Sequence, residues 1–155
     1  MFRKEVGFEK RAQLAVDAAA LLAFLSVPHN HLGLQPLVSE IQHLQEFAAA
    51  DGTTGYRYTI VERLPIVGSL AWYQPSQVQM IPRPDTHQIE FVVRSFPGLR
   101  LHSLYRLTPL FQGTELIETV TISVYSFLAR YVLKMADQAH EAIFRQLQER
   151  FTNQP

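Results

Sequence analysis

The stretch SFLARYVLKMADQAHEAIFRQLQERF, residues 126–151, sets the architecture. Leu128, Val132, Met135, Ala139, Ala142, Ile143, Leu147 and Phe151 keep close to the i, i+3, i+4 spacing of one helix face, and neither Pro nor Gly interrupts them. At 1.5 Å rise per residue the pattern predicts one amphipathic helix of roughly 25 residues, about 37 Å long. That is more than a small sheet needs as a cap. The helix is expected to lie across the whole concave face of a curved sheet.

The chain before it reads as that sheet. Gly55 to Leu64 alternates Tyr56, Tyr58 and Ile60, and Pro65 and Gly68 punctuate before Leu70-Ala71-Trp72-Tyr73 and Val78 to Ile81. A turn at Pro82-Arg83-Pro84-Asp85 precedes Ile89, Phe91 and Val93, and Pro97-Gly98 makes the next break. Leu99, Leu101, Tyr105 and Leu107 then alternate with Arg100, His102 and Arg106, and Gln112-Gly113-Thr114 opens a strand whose Leu116, Val120, Ile122 and Val124 fall on one side. Short turns between consecutive strands predict an antiparallel meander. Upstream, Val6 to Val16 alternates as a strand, with Lys10 out of pattern. Asp17 can cap a helix over Ala18 to Leu25 that stops before Pro28. One further helical turn is read around His31 to Leu34, then a strand from Leu37 to Phe47 that turns at Ala48 to Thr53.

With 155 residues, 47% of them hydrophobic and 18% charged, the chain can close one substantial core, and a single domain over 1–155 is expected. Lys plus Arg and Asp plus Glu are both 14, so no whole-chain field exists to hold a phosphate backbone, and no nucleic-acid partner is expected. The absence of cysteine excludes disulfides, thiolate nucleophiles and Cys-ligated metal or iron–sulfur sites, and suits a cytoplasmic location. Ala12 to Val27 follows Lys10 and Arg11 like a secretory signal. Against that, Asp17 interrupts it, Glu5 and Glu9 sit among the basic residues, and Pro28-His29-Asn30-His31 stands where small residues are needed for cleavage. No stretch approaches the ~20 uninterrupted apolar residues of a spanning helix, so no integral membrane association is expected.

Strand, short helix, a possible second, about six strands and a long helix make an α+β layout. The segment Leu14-Ala15-Val16-Asp17-Ala18 through Leu25-Ser26-Val27-Pro28 to Pro36, and the closing strand Gly113-Thr114-Glu115-Leu116-Ile117-Glu118-Thr119-Val120, resemble the SRPBCC or START-like superfamily. Its members include polyketide cyclase/dehydrase-like, pollen-allergen-like and lipid-transfer proteins. The resemblance runs from Phe8 to Phe151 and rests on layout; the Pro often found before the first helix is replaced by Asp17-Ala18. It implies a helix-grip fold of six to seven strands, with a cavity between sheet and C-terminal helix that holds an apolar or amphipathic small molecule such as a lipid or polyketide. No cofactor is expected.

The residues read as facing that cavity mix apolar groups with isolated hydrogen-bonding ones: Tyr56, Tyr58, Trp72, Phe91, Leu101, Ser103, Tyr105, Val120 and Ile122 on strands, Val132, Met135 and Ala139 on the helix. Glu118 lies in the alternation Leu116, Glu118, Val120, where desolvation could make it a general acid or base, unless it pairs with Lys134, Arg130 or a Tyr hydroxyl. His29, His31 and His43 lack further ligands in any metal-binding pattern, so no metal is expected; the first two are placed at the cavity entrance or surface. His102 is read as outward beside Arg100 and Arg106, and His140 as solvated. No G-x-S-x-G elbow, P-loop or dinucleotide fingerprint occurs. Reversible small-molecule binding is the leading reading, because no compact acid–base pair is visible. The alternatives are a cyclase/dehydratase-type enzyme using Glu118, with Tyr58 or Tyr105 as donors, and a protein-interaction module. A homodimer is left open.

Overall fold

The computed structural model describes residues 2–152, apart from the side chains at 65–67 and 152. Its strands are β1 (Arg3–Leu14), β2 (Val38–Ala48), β3 (Thr54–Val67), β4 (Leu70–Arg83), β5 (Gln88–Ser95), β6 (Leu99–Pro109) and β7 (Thr114–Tyr125). The helices are α1 (Ala18–Leu25) and α2 (Ala129–Thr152), the latter entered through a 3-10 turn over Ser126–Leu128. The seven strands form one antiparallel sheet in the order β1-β7-β6-β5-β4-β3-β2. This is the α+β helix-grip arrangement. No helix among the described residues is long and apolar enough to cross a membrane.

Strands β2 to β7 are each paired with the next, as short turns require, while β1 joins the far edge and pairs with β7 from Arg3↔Tyr125 to Leu14↔Thr114. The chain therefore has to travel from one sheet edge to the other after β1, and α1 and the 3-10 turn Pro28–His31 make that passage, with α1 packed on β5 and β6. The helix begins where Asp17 Oδ1 accepts a hydrogen bond from the Ala20 N–H at 2.7 Å. It ends where the Ser26 N–H and hydroxyl both reach the Leu22 carbonyl, at 2.9 and 2.6 Å. Its Leu21, Leu22 and Leu25 are buried in the main core.

Three sequence expectations are corrected by the fold. Leu70–Tyr73 and Val78–Ile81 belong to one continuous strand, β4, because Pro75 opposite Val61 removes one donor without unpairing its neighbours. Lys10, out of pattern in β1, points to the inward face with Phe8 and Ala12 and stretches to α2, where Nζ lies 2.7 Å from both Asp137 Oδ1 and Glu141 Oε2. Finally, α2 leans on β1 and β7 rather than covering the whole concave face. Its last turns, through Ile143, Phe144, Leu147 and Phe151, join the main core with Leu14, Leu25, Met80 and Leu116. Its first turns pack with Val120, Ile122, Val124 and Phe8 in a second core. The space between these two cores and the middle strands is left open.

The turn into β7 depends on Gly113. Its φ is +96°, and a Cβ there would meet the Leu14 carbonyl oxygen at 2.2 Å, so only glycine fits between the two strand ends.

Candidate functional site: a cavity between sheet and helix

The open space is a cavity of about 360 Å³. Tyr58, Ile60 and Glu62 of β3, Phe91, Val93 and Ser95 of β5, and Leu101, Ser103 and Tyr105 of β6 form much of its sheet wall. Glu118 of β7 also lines it, Val132, Met135, Ala139, His140 and Ile143 of α2 face the sheet across it, and His31 is part of the lining. Most of this lining is apolar, which favours an apolar guest, and the volume falls in the range of small-molecule sites.

Of the residues read from sequence as cavity-facing, the structure brings together Tyr58, Phe91, Leu101, Ser103, Tyr105, Glu118, Val132, Met135 and Ala139. Four are placed elsewhere. Tyr56 packs partly buried against the main core beyond the wall, opposite Met80. Trp72 shares a face with Gln74, which does line the cavity, but β4 runs on past it, leaving the indole 57% exposed and donating to Gln74 Oε1 at 2.8 Å. Val120 and Ile122 do point inward, yet they are covered by the first turns of α2 in the second core. Strand periodicity gives the face of a side chain and not its depth along the strand.

Glu118 has no solvent exposure, and both its oxygens are bonded. Oε1 accepts from His140 Nδ1 at 2.7 Å and Oε2 accepts from the Ser103 hydroxyl at 2.5 Å. Of the partners expected from sequence, a tyrosine is present, Tyr105, while Lys134 and Arg130 give way to Ser103 and to a histidine that sequence reading left in solvent. His140 is 8% exposed. It stands four residues after Ala136 and three before Ile143, inside the buried stripe, and its ring meets Phe8 edge-on at 5.4 Å between centroids. Helical spacing was the signal that could have found it.

A carboxylate can only accept, so this bond requires a proton on His140 Nδ1, and Nε2 is then the ring nitrogen that gains or gives up a proton. This carboxylate–imidazole arrangement orients a ring for proton transfer. Tyr105, opposite Glu118 in the sheet, has its hydroxyl pushed well above the usual range by burial, reinforced by the charge of Glu118 and a hydrogen bond to it. Burial likewise pushes up Tyr58. Both phenols therefore remain donors. His31 Nε2 donates to the Leu25 carbonyl at 2.8 Å, and its ring meets Phe91 edge-on. Burial lowers its pKa, against that hydrogen bond and the charge of Glu118.

A second carboxyl, also missed from sequence, faces the cavity from β3. Glu62 Oε1 accepts from the Ser76 hydroxyl at 3.3 Å, and Ser76 is hydrogen-bonded in turn to Ser95. Burial raises the pKa of Glu62, opposed by the Ser76 bond and by the charge of His140. The other histidines lie outside. His29 is exposed, and His43 is exposed at a bulge in the edge strand β2 with φ of 57°. His102 lies on the outer sheet face with Nε2 2.7 Å from Glu90 Oε2.

A curved antiparallel sheet gripping a C-terminal helix over an internal cavity defines the SRPBCC/START-like fold, and solved structures agree. The Zhui aromatase/cyclase from Streptomyces sp. R1128 superposes with a TM-score of 0.70 at 11% identity, over 96% of this chain and 93% of its own. A START superfamily protein from Mycobacterium smegmatis gives 0.67 at 13% identity, over 94% and 97%. A Thalictrum norcoclaurine synthase point mutant, in complex with a transition state analogue, gives 0.59 at 12%, over 97% and 98%. No protein-family model matches this sequence, and no curated protein does.

Proposed function

We propose that this protein binds an apolar or amphipathic small molecule in the cavity between sheet and α2. The observation that carries this reading is the 360 Å³ space itself, apolar over most of its wall with a few polar groups converging on it. Filling such a space with solvent-ordered water is less favourable than filling it with an apolar guest. The fold neighbours include proteins named as an aromatase/cyclase and a synthase holding a transition state analogue, which supports an internal small-molecule site on this fold. Native mass spectrometry of the purified protein, followed by extraction, tests the reading. A bound molecule of a few hundred daltons released on denaturation supports it. A protein of unliganded mass that also takes up no apolar probe contradicts it.

A second reading, acid–base catalysis of the cyclase/dehydratase type, is favoured by the Glu118–His140 pair. The proton would be moved by His140 Nε2, with Glu118 as the positioning residue, because both Glu118 oxygens are already occupied. Tyr105 and Tyr58 would donate to a developing enolate oxygen. Turnover of a substrate identified from the extract would fall about 10²–10⁴-fold in His140→Gln. Unchanged turnover in that variant would remove His140 from the chemistry and leave binding alone.

A further inference from the structure

Glu62 is the one cavity carboxyl with an uncommitted oxygen. Its Oε1 is taken by Ser76, whereas Oε2 makes no hydrogen bond among the described residues, and the side chain lines the cavity. Ser76 is fully buried and tied to Ser95, so the donor that holds Oε1 is itself held. Glu118, by contrast, is fully buried, with a hydrogen bond at each oxygen. The two carboxyls sit on strands four places apart, about 19 Å along the sheet before its curvature brings them closer. The cavity thus has two polar poles, His140 with Glu118 behind it, and Glu62 with its serines.

Resting on the small-molecule reading above, we propose that Glu62 selects the guest: in its acid form it donates a hydrogen bond from Oε2 to a ketone or ester oxygen on an otherwise apolar molecule. A guest excludes water from the carboxyl, which favours the neutral acid and couples binding to proton uptake. Burial already pushes Glu62 in that direction. The other titratable groups around the cavity are His31, Tyr58, Tyr105, Glu118, Tyr131 and His140. His31 resists protonation through burial and Tyr58 and Tyr105 resist ionisation for the same reason, while His140 acts on Glu62 through its charge and is tested by its own variant.

The test compares 2-acetylnaphthalene with 2-ethylnaphthalene, the same shape without the oxygen, by fluorescence titration. Wild type should bind the ketone about three- to tenfold tighter than the hydrocarbon at about pH 5, and lose that preference by about pH 8. Glu62→Gln keeps a donor that does not titrate, so its preference should persist at both pH values. Glu62→Leu should bind both probes equally, and His140→Gln, which removes a charge that opposes protonation of Glu62, should keep the ketone preference at about pH 5 and lose it at a higher pH than wild type does. Equal binding of the two probes by wild type at about pH 5, or a pH profile that Glu62→Gln leaves unchanged, overturns the role of Glu62 alone. Failure of every variant to bind either probe overturns the cavity-binding reading, and this inference with it.

Discussion

Ala139→Leu separates an open cavity from a filled interior by the sign of its effect. Ala139 is buried on α2 and its methyl faces the cavity. Leucine adds three carbons there. At about 0.8 kcal/mol per buried carbon the gross gain is about 2.4 kcal/mol, from which about 0.5–1 kcal/mol of rotamer entropy and a few tenths for helix propensity are lost. The net expectation is a stabilisation of about 1 kcal/mol, with weaker binding of an apolar probe because the side chain occupies its space. In a tightly filled interior the same substitution costs about 1–3 kcal/mol through displaced neighbours. Urea unfolding gives the difference directly, provided the slope with denaturant is unchanged. A loss of more than about 1 kcal/mol, with probe affinity unaltered, refutes the reasoning.

Gly113→Ala should destabilise by about 2–4 kcal/mol, since both its positive φ and the Leu14 carbonyl oppose a side chain, while Gly52→Ala, at φ +85° with open space, should cost only about 1 kcal/mol; urea titration of both decides. Lys10→Met should cost about 0.5–1 kcal/mol, because Asp137 and Glu141 are half exposed, and the deficit should shrink in 1 M salt as screening weakens the lost pairs. His31 has a folded pKa below its ordinary 6.5, so the unfolded chain takes a proton that the folded one refuses as pH falls below about 6.5. Its contribution is therefore neutral above that point and destabilising below it. The stability of His31→Gln should accordingly fall less than that of wild type between pH 7.5 and pH 5, and parallel curves would count against a buried, neutral His31.

Most of the fold was legible because its signals are local. The 3.6-residue stripe from Leu128 to Phe151, the strand alternations between turns, and the Asp17 cap each lie within one element, and the structure has them where the pattern put them. The site was legible only in part, because a cavity is defined by depth and by partners from elsewhere in the chain. Alternation put Trp72, Val120 and Ile122 on the inward face correctly, but whether such a residue meets open space, solvent or the underside of α2 depends on where along the sheet the helix rests. The bond between Glu118 and His140 joins residues 22 positions apart in different elements, so neither alternation nor helical spacing alone reveals it. Lys10 is the instructive exception, since the break it makes in β1 marks the place where the strand is bolted to α2.

Methyl-resolved NMR of the protein titrated with 2-acetylnaphthalene tests the central claim most directly. Shifts concentrated at Ile60, Val93, Leu101, Val132 and Ile143, with Leu21, Leu22 and Leu25 of α1 left in place, are the predicted result. Shifts confined to the exposed exterior, or none at saturating probe, would contradict the existence of a ligand-accepting cavity.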